Sequence, residues 1–484
     1  MRTVTIDKRD NVGIVLERDG AIAYGHKIAL KDILKGEAII KYGVPIGEAT
    51  SDICKGEWVH THNMGTLLDN IRKLEYRPME GFPSEFFDMD VSLPVFSGYR
   101  RSNGQVGIRN DLWIVPTVGC VNKTAERIRR VAEDLAEERG KVFDNILCLT
   151  HPFGCSRSED DTERMNALLK STCCHPNAAG VLLVGLGCEH NTPEKVLEGI
   201  RDRTRIRAMV CQEVEDEEAK AKELIGELMN EARECVREDI PVSELILGVK
   251  CGGSDGLSGV TANPLTGRVM DRLLSFGGSG IMAEIPEMFG AEHVVLDRCE
   301  SEELFNEAVA VINDMKRYYI DRGIPISSNP SPGNKSGGIT TLEEKSMGCV
   351  QKGGAGPIRG VTRYGQRISV KGLNIIESPG NDLVSTTAIA AAGAHLILFT
   401  TGRGTPMGGI IPTIKLSSNT DLYERKKNSW IDFDAGRCLH PGQDKICEKE
   451  LWNLILDVAS GRIKTHSEIR GNQEFTAFQT GVTY

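Results

Sequence analysis

Over the first 68 residues, apolar and polar positions alternate in short bursts: "TVTI", "VGIVLE", "AIAYGHKIAL", "EAIIKYGVPIGEAT" and "EWVHTHNM". Glycines and turn residues punctuate the bursts, and a period of two with such breaks predicts a small all-β module over 1–68. From 69 to 98 the periodicity fades, and "YRPMEGFPSEFFDMDVSLPVF" carries three prolines among scattered aromatics. That stretch reads as a linker lying on the domain that follows it.

Beyond residue 99, wholly apolar runs replace alternating ones. The predicted strands are "DLWIVPTV", "NILCLTH", "GVLLVGLG", "RAMVCQ", "LILGVKC", "GIMAEI", "LNIIESP" and "HLILFTTG". Between several of them lie amphipathic helices such as "NKTAERIRRVAEDLAEERG" and "EVEDEEAKAKELIGELMNEARECV". Strands apolar on both faces and alternating with helices predict an α/β architecture with a mainly parallel sheet. The charged stretch "ECVREDIPVSE" over 234–244 is taken as a break, which divides the region into a middle α/β domain at 99–238 and a C-terminal domain at 239–484.

Composition narrows the function classes. The 484 residues carry a net charge of −10, with the signs mixed along the chain, so neither nucleic acid nor an anionic membrane is expected as a partner. No apolar run approaches the roughly 20 residues that cross a bilayer. The charged N-terminus lacks a signal-peptide core, which points to the cytoplasm. There the 14 cysteines are expected as thiols serving packing, metal or redox chemistry, not as a disulfide framework. The 52 glycines gather in polar loops where backbone can approach a ligand closely.

The cysteines recur in one setting. Cys120, Cys155, Cys188 and Cys251 each follow an apolar run, and Cys349 lies in another Gly-Cys pair, "MGC". In open parallel sheets the carboxyl ends of strands are where ligands bind, so two or three of these thiols are expected to line one crevice. His60 and His62, two apart in "VHTHN", are expected on one face of a strand as proton carriers or metal ligands. Arg100, Arg101 and Arg109, with Asn110 beside them, precede a strand and suit a carboxylate. The loop "CGGSDGLSG" offers Ser254 and Asp255 within a polar cradle, while "SPGNKSGG" and "TTGRGTPMGG" add Asn334, Lys335, Arg403 and Thr405. In "EIPEMFGAE", Glu284, Glu287 and Glu292 flank a turn and could hold a divalent ion. The segment "GSGIMA" at 278–283 fits a dinucleotide fingerprint only formally, because it enters a strand when it should open a helix.

These motifs together carry a resemblance. In "GHKIALKDILKGEAIIKYGVPIG", "RRSNGQVGIRNDLWIVPTVGCVN", "HPNAAGVLLVGLGCEHN", "CGGSDGLSGVTANPLTGR", "NPSPGNKSGGITTLEEKSMGC", "SPGND", "TTGRGTPMGG" and "WIDFDAGR" the chain resembles the altronate dehydratases, and more distantly the galactarate dehydratases, of the sugar-acid hydro-lyase family. The resemblance implies an N-terminal β-clip module of the SAF type, a middle region that helps form a homodimer, and a variant Rossmann-like domain carrying a metal site. It also implies an iron(II)-dependent dehydration, with manganese(II) as a substitute, that converts D-altronate to 2-dehydro-3-deoxy-D-gluconate.

Such a reaction needs a Lewis acid at the substrate carboxylate, a base for the C2 proton and an acid for the departing C3 hydroxyl. The expected ligands are Cys155, Cys188 and Cys349 or, alternatively, Glu284 and Glu287. His60 and His62, then Lys335 and Lys345, are the candidates for proton transfer. Arg109 and Arg403 would anchor the carboxylate, with Asn110, Ser254, Asp255, Asn381 and Thr405 available to read hydroxyls. The readings left standing beside this one are dehydration of galactarate or another aldarate, elimination of a different leaving group from a 2-hydroxy acid, and a non-catalytic sugar-acid binding protein.

Overall fold

The computed structural model describes residues 2–17, 22–68, 71, 73–79 and 93–481; most of the stretch read as a linker lies outside them. The N-terminal module folds as two small antiparallel sheets around Val12, Ile33, Ile39, Ile46, Ile53, Val59 and Met64. Its hairpin between Ala38–Lys41 and Val44–Ala49 turns on Tyr42 and Gly43, both at positive φ (62° and 72°). That is the geometry a tight two-residue hairpin requires, and it holds Tyr42 at the tip of the module.

The middle region is a four-stranded parallel sheet in the order Ile146–Cys148, Asp111–Pro116, Ala178–Gly185, Ile206–Val210. Its strands are apolar on both faces because both are covered. Leu112, Ile114, Leu182 and Val184 pack under the helices Asn122–Arg139 and Glu217–Arg233, while Trp113, Val115, Val181 and Leu183 join the core shared with the C-terminal domain. The charged stretch 234–244 contains a strand. Arg237–Pro241 is a strand paired antiparallel with Val95–Arg100, and Arg237, Glu238 and Asp239 keep at least part of their surface in water while Ile240 points inward. Pairing with a distant segment made this strand, and local charge concealed it.

The C-terminal domain is a seven-stranded, all-parallel sheet in the order Ile358–Thr362, Leu373–Ile376, Ser279–Met282, Ile246–Cys251, Leu396–Thr401, Thr413–Ser417, Phe433–Asp434. From the central strand Ile246–Cys251 the chain first builds outward on one side and later returns to build on the other. The change of direction falls between Ile246–Cys251 and Leu396–Thr401, and a crevice forms outside the carboxyl ends of strands at such a switch point.

Arg109 locks the middle region to the C-terminal segment. Its guanidinium donates to Glu468 through Nε at 2.7 Å and Nη2 at 3.1 Å, and through Nη1 to the carbonyls of Ile108 and Val458 at 2.8 Å. Both side chains are fully buried. Every donor nitrogen of Arg109 is thus used inside the protein, and the expected role as a carboxylate anchor gives way to a structural one. Asn110 is likewise buried, accepting from Arg101 and donating to the Val142 carbonyl.

His26, His60, His151, His175 and His395 are all buried, and burial pushes each below the ordinary histidine pKa, to about 4 for His60 and His151 and about 3 for His395. Between pH 6.5 and about 4 the unfolded chain therefore binds more protons than the folded one, and stability falls as pH falls through that window. Urea titrations should show the midpoint dropping steadily from pH 7 to pH 5, and replacing His395 with glutamine should flatten the slope; a midpoint unchanged over that range would refute the account.

Candidate active site and metal centre

The central strand ends at Cys251, and its neighbour Ser279–Met282 runs on through Ala283 and Glu284 into a one-turn helix, Ile285–Met288, that carries Glu287. The helix Leu342–Cys349, capped by Thr341, brings Glu343, Glu344, Lys345 and Cys349 to the same place, and the turn that follows it supplies Lys352. Cys251 Sγ lies 2.7 Å from Glu287 Oε2 and 3.1 Å from Cys349 Sγ. Among the described residues, Cys251, Glu287 and Cys349 form a buried group of potential metal ligands, with donor atoms within 4.8 Å of one another.

Ammonium groups surround this cluster. Lys345 pairs with Glu287 at 2.8 Å and also reaches Asn329. Lys352 lies 2.8 Å from Glu284, and 3.3 Å from both Glu287 and Cys251 Sγ. Lys250 bridges Glu284 and Asp382, each at 2.8 Å. Glu284 reaches its position through a left-handed backbone (φ 66°), a strained conformation for a non-glycine residue, and both its oxygens are taken up by the two lysines and the Cys251 amide.

Burial alone would keep Glu287 protonated, but Lys345 and Lys352 overcome it and hold the carboxyl well below its usual range. Lys345 is held high by Glu287 against the effect of its own burial. The Cys349 thiol is pushed far up, first by its hydrogen bond with Cys251 and then by burial. Two thiolates 3.1 Å apart would repel strongly in this setting, so the pair needs a proton or a cation between them. Two sulfurs and a carboxylate oxygen, converging from three separate elements, fit a divalent transition ion.

The N-terminal module packs directly against the segment that leads into this helix. Lys27 Nζ donates to the Gly338 carbonyl at 2.7 Å, to Thr340 Oγ1 at 2.9 Å and to Glu344 at 2.8 Å; Lys41 meets the other Glu344 oxygen at 2.9 Å. All three charged groups are buried. Glu344 is held down at about 2 by the two lysines despite its burial, and burial brings Lys27 down to about 8. Thr66 Oγ1 and the Leu67 amide donate hydrogen bonds to Glu343. Where the loops meet, a Cβ on Gly256 would stand 2.0 Å from the Gly25 carbonyl oxygen, so only glycine admits this contact.

Comparison with known proteins matches this architecture along its length. Residues 8–67 fit the family described as altronate/galactarate dehydratase SAF domain, 98–233 the second domain of D-galactarate dehydratase/altronate hydrolase, and 242–483 the C-terminal domain of D-galactarate/altronate dehydratase. The chain is 45% identical over 479 residues to an altronate dehydratase of Bacillus subtilis, covering 97% of this chain and 94% of the relative. The chain belongs to the altronate/galactarate dehydratase family. An altronate dehydratase of Escherichia coli is 44% identical over 98% of this chain and 94% of its own length, and the galactarate dehydratase (L-threo-forming) of the same organism is 32% identical over 96% and 94%.

Against that family background, the ligands expected from sequence divide. Glu287 and Cys349 are in the cluster; Glu284 stands beside it, occupied by lysines. Cys155, half-buried, and Cys188, exposed, are outside it, because they follow strands of the four-stranded sheet while Cys251 ends the central strand of the seven-stranded one. Cys251, noted only as a strand-end thiol, completes the group, and its signal was its place at the head of "CGGSDG". Lys352 and Lys250 carried no sequence signal. Glu292 is paired with Lys316.

His60 and His62 are not on a strand, which ends at Val59; they sit in the following turn around Trp58. His60 is buried with Nδ1 3.1 Å from Thr340 Oγ1, whereas His62 is exposed. Asp255 has its oxygens committed to Leu257, Ser258, Ser418 and Asn419, but the buried Ser254 hydroxyl has no partner among the described residues. Arg403 is exposed on the loop after the adjacent strand, and its backbone amide is bonded to Gly253. Asn381 caps the helix Asp382–Ala391, Thr405 accepts from the Met407 amide, and Lys335 is half-buried.

Replacing Glu344 with glutamine would leave Lys27 and Lys41 buried together without a counter-charge, a loss of about 3–5 kcal/mol. Urea unfolding should register it as a lower midpoint, and a Lys27→Met/Glu344→Gln double variant should recover part of the loss. Equal stability of the wild type and the single variant would remove this interaction from its role.

Proposed function

We propose that this chain dehydrates D-altronate to 2-dehydro-3-deoxy-D-gluconate, using a divalent ion, iron(II) or alternatively manganese(II), held by Cys251, Glu287 and Cys349. The observation that carries the reading is the buried sulfur and carboxylate cluster ringed by three ammonium groups at the sheet's switch point. The substrate assignment is supported by altronate dehydratases that match nearly the whole chain. A bound ion would supply Lewis-acid polarisation of the substrate carboxylate and hydroxyl.

The residues divide the remaining work by charge. Removing the C2 proton places negative charge on the carboxylate oxygens, and Lys345 and Lys352, kept protonated by their partners, stabilise it in a site shielded from water. Breaking the C3–O bond releases hydroxide, which leaves as water on receiving a proton, and the resulting enol becomes the 2-oxo acid. Lys345, charged at neutral pH, is our candidate to donate that proton, with Lys352 keeping its charge throughout. His60, neutral above about pH 4, is in the form that accepts one, and it belongs to the docked module; His62 and Lys335 are the more exposed alternatives. Arg403 anchors the substrate carboxylate, while Ser254, whose hydroxyl has no partner among the described residues, reads a substrate hydroxyl beside Asn381 and Thr405. The chain acts as a homodimer in the cytoplasm, which sedimentation of the purified protein checks for assembly.

Anaerobically purified protein should carry about one iron per chain by elemental analysis and release a 2-oxo acid from altronate. Cys349→Ser should lose both the metal and the turnover; full turnover in metal-free protein would end the reading. His60→Ala should lower kcat a hundredfold or more with metal content unchanged, and full activity in that variant would remove the module from the chemistry. A panel containing galactarate and other aldarates decides the competing substrate assignment, which the 32% identical galactarate dehydratase keeps relevant.

A further inference from the structure

A cavity of about 690 Å³ lies at the seam between the middle sheet and the C-terminal domain. It is walled by the helix Glu159–Cys173, the loop that leads into Ile206–Val210 and the turn at 365–367. Lys170, Lys195, Arg201, Arg205 and Arg367 line it, against only Glu163 and Asp202. The wall is therefore positive in a chain whose net charge is −10. None of Cys251, Glu287, Cys349 and Lys345 lines this cavity, so it is distinct from the candidate metal centre.

Arg205 and Arg367 donate to backbone carbonyls but meet no carboxylate among the described residues. Arg367 donates to the Cys174 carbonyl at 3.1 Å, Arg205 to the carbonyls of His175 and Ala178, and the nearby Arg101 to that of Pro176 at 2.8 Å. Three guanidiniums thus brace the connection from Cys174 to Ala178, and among the described residues none of them has a carboxylate ion pair. Arg205 is only 8% exposed, and its Nε has no hydrogen-bond partner among the described residues. Burial, followed by the charge of Arg101, pulls its pKa down to about 10, and the nearby Asp202 offsets only part of this. Bracing a loop requires donors, which a neutral amide could provide. Collecting uncompensated cations around a cavity of small-molecule size makes sense if a counter-ion enters.

We infer that this cavity is a second anion site, binding a small acid with at least two negative charges through Arg205 and Arg367, with Lys170 and Lys195 at its rim. A phosphate ester and a polycarboxylate share that chemistry, and the planar guanidiniums can grip either one bidentately. The inference does not depend on the reaction proposed above, because it rests on a different set of residues.

Calorimetric titration of the full chain with pyrophosphate, and separately with citrate, tests it. One saturable site per chain is expected for at least one of the two, and the tighter arm identifies the ligand class. Arg367→Gln should weaken that binding tenfold or more, with altronate turnover in the absence of added anion unchanged. Should Arg367→Gln fail to fold, Lys170→Ala/Lys195→Ala, which alters only rim residues, should weaken binding in the same direction. Cys349→Ser should bind as the wild type does. No saturable binding of either anion, wild-type affinity in the folded lining variants, or loss of binding in Cys349→Ser would each overturn the proposal.

Discussion

Glu344 is the buried carboxylate on which the arrangement of the site depends. It lies within the helix that ends in Cys349 and has a lysine from the N-terminal module on each oxygen, Lys27 on one and Lys41 on the other. Both lysines and the glutamate are out of water, so each charge is tolerable only while the others are present. The module is thereby tied to one particular helix, and that helix carries the thiol and the ammonium group that complete the candidate metal centre. The next residue of the helix, Lys345, repeats the device in the opposite sense, with its charge met by Glu287 from the sheet side.

The same logic of paired opposite charges runs through the whole site. Lys250, Lys345 and Lys352 interleave with Glu284, Glu287 and Asp382, and the sulfurs of Cys251 and Cys349 lie inside this lattice. Apart from the half-exposed Asp382, its fixed charges are preorganised by burial, which is the condition for stabilising a developing anion without reorganising solvent. The strained backbone of Glu284 belongs to this construction, since its carboxylate is what aligns Lys250 and Lys352 beside the cluster.

Much of this protein could be determined from its sequence alone. The alternating bursts before residue 68 and the continuous apolar runs after 99 follow from which faces of a strand are covered, a local property, so the β-module and the parallel α/β region were legible. The long motifs carried the family. Glu287, Cys349 and Lys345 could be named as candidates because their residue types limit what they can do when buried. Tertiary structure alone decided the rest. Four cysteines followed apolar runs, but which sheet a strand enters depends on pairing with residues far away in the chain, and that placed Cys251 at the switch point while Cys155 and Cys188 went to the other sheet. Arg109 looked like a carboxylate anchor until Glu468, 359 positions later, took its guanidinium. The strand Arg237–Pro241 was hidden by its charges because its partner lies on the far side of the middle domain's sequence. Composition and periodicity record what each segment can bury, whereas the partner that satisfies a buried charge or a strand edge is fixed only when the chain has closed on itself.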